Sequence, residues 1–321
     1  MSPPHIVRIG HVILQVASLA ASRAFYVDLL GLDVVAESPR HLCLRGVEER
    51  EWSLMLEQHP EPAVRQVGFK VAAEQELDAL EDMARRLGLA TGRRQEPERP
   101  SVLTVQDPFG MPLAFYFASG KHPWLLQQYH RRRCPSIQRI DHVNVFAANP
   151  GAALAWYRDV LGFRLTEYTE DDDGQVWAAW LHRKGNVHDV AFTNGAGPRL
   201  HHVAFWMPDL TQVMQLCDVL GASRTGAIER GPGRHGISNA LFLYLRDPDG
   251  HRVEIYTSDY LTVDPDFEPV RWARDDPYRQ QLWGGLAPRS WFTEGSPFRQ
   301  LTGELSPLTP PALEGLPSYI S

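Results

Sequence analysis

The stretch Leu241-Phe-Leu-Tyr-Leu-Arg-Asp-Pro-Asp-Gly-His-Arg-Val-Glu-Ile-Tyr256 decides the fold. Leu241, Leu243 and Leu245 alternate with Phe242, Tyr244 and Arg246. Asp247-Pro-Asp-Gly250 supplies a turn, and Val253 and Ile255 then alternate with Glu254 and Tyr256. Period-two alternation on both sides of such a turn predicts a β-hairpin. Successive strand side chains leave opposite faces, so Glu254 stands away from Val253 and Ile255, on the face of Arg252 and Tyr256. A lone glutamate there would ordinarily mark a solvated edge strand. The rest of the chain argues otherwise.

Working outward, the hairpin has a twin: Val102 to Phe117 turns at Asp107-Pro-Phe-Gly110. Arg8-Ile-Gly-His-Val-Ile-Leu14 is echoed by Arg139-Ile-Asp-His-Val-Asn-Val145. Ala24-Phe-Tyr-Val-Asp-Leu-Leu-Gly-Leu32 is echoed by Ala155-Trp-Tyr-Arg-Asp-Val-Leu-Gly-Phe163, and Gln66-Val-Gly-Phe69 by His202-Val-Ala-Phe205. The offset grows from 131 residues between His11 and His142 to 140 between Asp107 and Asp247, so the second copy has longer loops. Such self-similarity marks a tandem repeat. Within the first copy a strand at 8–16 is followed by an amphipathic helix from Leu19 to its cap at Gly31, then by strands near 42–44 and 52–56. The pattern restarts with a strand at 66–71, a helix at 75–88 and the hairpin.

The expected fold is α+β, four βαβββ modules in two tandem domains. Residues 1–120 form a non-catalytic domain, 121–138 the linker, 139–260 the catalytic domain and 261–321 a C-terminal extension over the active site. The extension is rich in proline but carries Trp272, Trp283, Trp291, Phe292 and Phe298, too aromatic for a disordered tail. Its first half is expected to lie ordered over the second domain, with a short helix near 277–282, and its last dozen residues to be loose.

A chain of 321 residues, 43% hydrophobic and 22% charged, is long enough for two domains with real cores. A net charge of -7 offers no attraction to nucleic acid or to an anionic membrane. The sequence predicts neither a membrane span nor a secretory signal at Met1-Ser-Pro-Pro. Cys43, Cys134 and Cys217 are odd in number and far apart, which predicts no disulfide framework and a reducing, cytoplasmic setting.

The repeat allows a comparison inside one molecule. The second copy has His142 on its first strand, His202 on the strand opening its second module and Glu254 on its last; the first copy has His11, Gln66 and Ala114 there. Packing alone does not require that difference. Two imidazoles and a carboxylate from three strands form a facial triad with open positions, which suits Fe(II) or Mn(II) binding substrate and O2 together. Zinc with three protein ligands is the competing assignment. His11 is read as a packed relic.

Taken together and in order, several motifs resemble one family. They are Asp141-His-Val-Asn144, Trp180, His188-Asp-Val-Ala191, His201-His-Val-Ala-Phe205, Arg230-Gly-Pro-Gly-Arg-His-Gly236, Tyr244 and the opening hairpin. The likeness is to the type I extradiol ring-cleaving dioxygenases of the vicinal-oxygen-chelate superfamily, over almost the whole chain. Within that family the run is most similar to the homoprotocatechuate (3,4-dihydroxyphenylacetate) 2,3-dioxygenases. The resemblance implies an Fe(II) enzyme, with Mn(II) possible, that inserts both atoms of O2 into a catechol to give a muconic semialdehyde, as a homotetramer. It implies that His188 is the acid-base residue, a role suited to a group titrating near neutrality. By the same resemblance His235 and Tyr244 bond the substrate oxygens, Asn144 lines the O2 side and Trp180 walls the ring. Arg230 and Arg279 are the implied carboxylate-binding arginines, a fork of donors suiting that anion. Where the family shows two adjacent arginines, this chain has Arg279 followed by Gln280.

Three alternatives stay open on the residues themselves. One is a catechol 2,3-dioxygenase that needs no carboxylate, and another a metal-free binding protein on the same scaffold. The third, a glyoxalase-like isomerase, would draw ligands from a second module, and only one complete triad is found.

Overall fold

The computed structural model describes residues 3–133 and 135–315; Cys134 and residues 316–321, within the end expected to be loose, lie outside the described residues. The first copy forms a sheet in the order β2-β3-β4-β1-β5-β8-β7-β6. Its strands are β1 (Ile6–Val16), β2 (Asp33–Ser38), β3 (His41–Arg45), β4 (Leu54–Gln58), β5 (Ala63–Val71), β6 (Thr91–Glu96), β7 (Arg99–Gln106) and β8 (Pro112–Tyr116). The second copy repeats it with β9 (Arg139–Ala147), β10 (Arg164–Glu170), β11 (Val176–His182), β12 (Val190–Asn194), β13 (Arg199–Trp206), β14 (Ile228–Arg234), β15 (Leu241–Arg246) and β16 (Arg252–Thr257). The path β10-β11-β12-β9-β13-β16-β15-β14 matches that of the first sheet.

Each module carries one helix: α1 (Leu19–Arg23), α2 (Gln75–Arg86), α3 (Pro150–Asp159) and α4 (Leu210–Ser223). Local chemistry fixes their starts. Asn149 and Asp209 accept the Ala152 and Gln212 N–H groups, both at 2.9 Å, and Pro150 opens α3. Such caps contribute about 1 kcal/mol each. The helix expected from Leu19 to Gly31 changes pitch at Ala24, where six residues form a π turn closed by the Leu30 N–H on the Phe25 carbonyl. Strand β6 was not anticipated, because Thr91-Gly-Arg-Arg-Gln-Glu96 lacks apolar alternation; it survives as a polar edge.

The alternation read in the opening hairpin decides where the site lies. Leu241, Leu243, Leu245, Val253 and Ile255 join the main hydrophobic core. Full burial of such side chains contributes about 1.5–3 kcal/mol each. Phe242, Tyr244, Arg252, Glu254 and Tyr256 are buried too, so both faces of the sheet are covered and β16 is an interior strand between β13 and β15.

The echoed tyrosines and turn aspartates join the two copies reciprocally. Tyr26 donates to Asp247 and Tyr157 donates to Asp107, each at 2.9 Å. Each aspartate also accepts backbone N–H groups of its own turn.

The extension adds the strands β17 (Val270–Ala273), β18 (Trp283–Gly284) and β19 (Ser296–Pro297) to the second sheet and carries the helices α5 (Pro277–Gln280) and α6 (Arg289–Thr293) between them. The helix expected near 277–282 is present as α5. The order runs further than expected. Phe298 is fully buried, the Ala312 N–H reaches the Ala148 carbonyl and Asn194 donates to the Leu313 carbonyl, so residues 310–313 are tied to the second domain. Backbone partners that composition does not reveal hold them.

Candidate active site

Strands β9, β13 and β16 lie side by side, and their register assembles the site. Ala204 stands opposite His142 on one side and opposite Glu254 on the other. His202, two residues earlier on β13, shares its face. The methyl of Ala204 leaves room between two longer side chains. His142 Nε2 lies 2.9 Å from Glu254 Oε2, His202 Nε2 lies 3.0 Å from the same oxygen, and the two Nε2 atoms are 3.2 Å apart.

These three side chains form the cluster able to hold a metal ion among the described residues. Donor atoms bonded at about 2.1 Å and at right angles sit about 3.0 Å apart, whereas tetrahedral angles would spread them to about 3.4 Å. The observed spacing lets all three donor atoms reach a single ion. The electrostatics also ask for a cation. Burial opposes the charge on Glu254, yet the two imidazoles hold its carboxyl well below the usual range. Burial pushes His142 down, but its bonds to Asp141 and Glu254 outweigh that and raise it; burial lowers His202.

Two β-bulges sit at the candidate ligands, one residue before each histidine. The ladder between β9 and β13 skips Asp141 on one strand and His201 on the other. A bulge re-aims side chains that strict alternation would send to opposite faces. Asp141 Oδ2 thereby reaches His142 Nδ1 at 2.9 Å, and His201 Nδ1 reaches His202 Nδ1 at 2.6 Å. Asp141 is itself held by Asn186 at 3.1 Å and faces Lys184 at 3.7 Å. Burial opposes its charge, but Lys184 and the bond to His142 keep it below the carboxylate range. A carboxylate on the far nitrogen fixes the ring's tautomer and raises its basicity.

Above the triad opens a cleft lined by aromatic and amide side chains. The His188 ring lies 3.8 Å from that of His142, and burial followed by His142 drives its pKa well down. His235 Nε2 lies 3.1 Å from the Tyr244 hydroxyl, while its Nδ1 meets the Gln280 carbonyl and its ring stacks on Phe242. Burial, then Arg230, pulls His235 down to about 3; burial, then Glu254, pushes Tyr244 well above its usual value. Asn144 and Trp180 line the cleft, Asn144 accepting from Thr193 at 3.2 Å.

Arg279 lines the cleft, its Nε donated to the Arg274 carbonyl at 3.0 Å. Arg230 stands behind the lining, between Phe242 and Trp291 at 4.7 Å from each ring, with Nη2 directed to the Gln280 carbonyl at 3.4 Å. Site residues the sequence reading passed over are Asp141, His201, Tyr256 and Trp291. The doubled motifs Asp141-His142 and His201-His202 were the signal, obscured by the assumption of unbroken alternation. Tyr256 packs edge-on to His142 at 4.8 Å, and Trp291 belongs to α6 of the extension.

The sequence profile of the Glyoxalase/Bleomycin resistance protein/Dioxygenase superfamily matches residues 8–115 and 139–255, and the chain belongs to that superfamily. Among solved structures, an anaerobic complex of homoprotocatechuate 2,3-dioxygenase from Brevibacterium fuscum with 3,4-dihydroxyphenylacetate is 41% identical. It has a TM-score of 0.93 over 96% of this chain and 98% of that one. Homoprotocatechuate 2,3-dioxygenase from Arthrobacter globiformis is 42% identical, with a TM-score of 0.94 over 96% and 97%. A metapyrocatechase of Pseudomonas sp. (strain CF600) is 30% identical over 84% of this chain and 92% of its own length. A manganese-dependent 2,3-dihydroxybiphenyl 1,2-dioxygenase of Geobacillus genomosp. 3 is 29% identical over 87% and 94%. Within the superfamily this chain is a metal-dependent extradiol dioxygenase, of the Fe(II)- or Mn(II)-requiring kind.

Proposed function

We propose that the enzyme opens the ring of 3,4-dihydroxyphenylacetate or a closely similar catechol bearing a carboxylate side chain. The observation that carries this reading is Arg279, a buried guanidinium lining the same aromatic cleft as the triad. The likeness to homoprotocatechuate 2,3-dioxygenases supports it. His142, His202 and Glu254 hold the ion. When bound, that ion supplies the Lewis acidity that favours a deprotonated diol, and the redox chemistry for O2.

The chain's own groups do the rest. Trp180 and the neighbouring aromatic walls clamp the ring and exclude water. His235 and Tyr244, joined by their hydrogen bond, face the diol oxygens and fix the ring's rotation. His188, neutral and facing the triad, can take a proton from the substrate at an imidazole nitrogen and return it later. Asn144 borders the space beside His188. Arg230 acts from behind, holding residues 280–281 of the extension in place. Residues 1–120 serve as non-catalytic scaffold. The protein works in the cytoplasm as a homotetramer, a reading supported by the free thiols of Cys43 and Cys217 and by exposed apolar side chains such as Leu261 and Val263.

A second reading, a catechol 2,3-dioxygenase, is favoured by Gln280, an uncharged side chain in the cleft lining beside Arg279. Steady-state O2 uptake by anaerobically metal-loaded protein separates the two. We expect kcat/KM for 3,4-dihydroxyphenylacetate to exceed that for catechol by about 10²-fold, and Arg279→Leu to erase the preference. Equal rates on both substrates would establish the second reading. His188→Asn should lower kcat by about 10²–10⁴-fold without removing the metal.

A further inference from the structure

We propose that His201 is a positioning residue that couples the C-terminal strap, residues 289–297, to the metal ligand His202. The proposal rests on the reading of His142, His202 and Glu254 as metal ligands. His201 borders the cleft next to His202 and acts on the ion through that ring.

His201 Nε2 lies 2.7 Å from the backbone carbonyl of Trp291. A carbonyl can only accept, so Nε2 of His201 carries the proton. In the neutral ring Nδ1 then bears a lone pair and must accept. Its partner, 2.6 Å away, is His202 Nδ1, which is therefore the protonated nitrogen of that ring. His202 is left with an unprotonated Nε2, the atom 3.0 Å from Glu254 Oε2 in the triad. One backbone carbonyl of the extension thus selects the tautomer in which His202 can ligate.

The position of that carbonyl is built, not incidental. Arg252, fully buried on β16 two residues before Glu254, donates to the Ser290 and Glu294 carbonyls of the strap at 3.0 and 2.9 Å. The same guanidinium donates to the His201 carbonyl at 3.0 Å and is neutralised by Glu229. The strap also pairs with β13 at Leu200 and Ser296. Strap and bulge therefore share one anchor. The bulge position also exists in the first copy, where Arg65 fills it and turns to Glu57 and Glu96. The fold supplies the bulge, and the second copy uses it for this link.

Two consequences follow. Trp291 and Phe292 line the cleft, so the strap that fixes the tautomer of His202 also forms part of the cleft wall. By linkage, whatever the strap adds to metal affinity the metal returns as strap stability.

The test uses full-length metal-free protein titrated with Mn(II), free ion being read by electron paramagnetic resonance. Amide hydrogen exchange of residues 289–297 is followed in parallel. His201→Phe should weaken Mn(II) binding about 10–100-fold, the usual effect of removing a partner of a metal ligand. His201→Gln, which keeps a donor and an acceptor, should recover most of that loss. In the wild type Mn(II) should slow strap exchange, and in His201→Phe saturating Mn(II) should leave it unchanged. Binding by His201→Phe within threefold of wild type overturns the proposal and leaves the triad standing. Should His201→Phe not fold, the wild-type exchange decides alone: a strap indifferent to Mn(II) overturns the link. A wild type that binds no Mn(II) removes both the triad reading and this one.

Discussion

The two copies place a histidine at the same spot on the same sheet and complete its surroundings in opposite ways. In the second copy His142 faces His202 and Glu254, three donor atoms converging with no cation of the chain's own among them. In the first, His11 Nδ1 meets Arg99 Nη1 at 2.7 Å and His11 Nε2 meets Gln66 Nε2 at 2.7 Å. The Arg99 guanidinium is sandwiched between Trp52 and Tyr116, 3.4 and 3.9 Å from their ring centres. Gln66 hands its amide on to Glu96. Ala114 stands where Glu254 would be, and a Cβ on Gly68, the partner of Ala204, would fall 1.8 Å from His11. The relic imidazole has moved into space that the second copy fills with a methyl group. A buried polar face needs its lone pairs satisfied. One copy satisfies them with a tethered cation and the other leaves them for a metal.

Substitutions can break that contrast, beginning with the strongest. Glu254→Gln removes the anionic corner of the triad; turnover should fall at least about 10³-fold with loss of bound metal, measured by O2 uptake and metal analysis. Arg99→Met removes the first copy's cation and should cost about 2–4 kcal/mol in urea unfolding, because it strips a buried His11 and the Trp52 carbonyl of their donor. Its kcat should stay within threefold of wild type. A large loss of turnover would mean that the first copy is more than scaffold.

The paired turns sharpen the comparison next. Burial pushes Asp107 up to about 6, against the pull of its bonds from Met111 and Tyr157. The native state therefore holds a proton that the unfolded chain releases near pH 4, so this group's contribution to stability falls as pH rises from about 4 to about 6. Asp107→Asn should remove that slope, roughly 2–3 kcal/mol across the window, in unfolding curves compared with wild type. The smallest effect is expected from Tyr26→Phe and Tyr157→Phe. Each removes one bond between the copies and should cost about 1–2 kcal/mol, by equal amounts if the junction is as symmetric as its distances.

How much of this was legible in the sequence depended on period and repetition. The alternation in the hairpin was sound, and the echo between copies isolated His142, His202 and Glu254 without any other protein for comparison. His11 was legible as a relic because its counterparts, Gln66 and Ala114, cannot ligate as a set. Strand β6 escaped because its polar residues carry no periodic signal, although it brings Glu96 to the first interior. The order of residues 310–313 escaped because it depends on contacts with distant strands.

The sequence by itself determined the duplication, the modules, the faces of the strands and the three candidate ligands. These are properties of local spacing, which survives in one dimension. Only the tertiary structure decided what surrounds those ligands. The bulges at Asp141 and His201 shift a strand's register by one residue, and that shift exists only in the pairing with a neighbour. Likewise Arg99 in one interior and the Trp291 carbonyl at the other arrive from elements far along the chain, brought there by burial and hydrogen bonding.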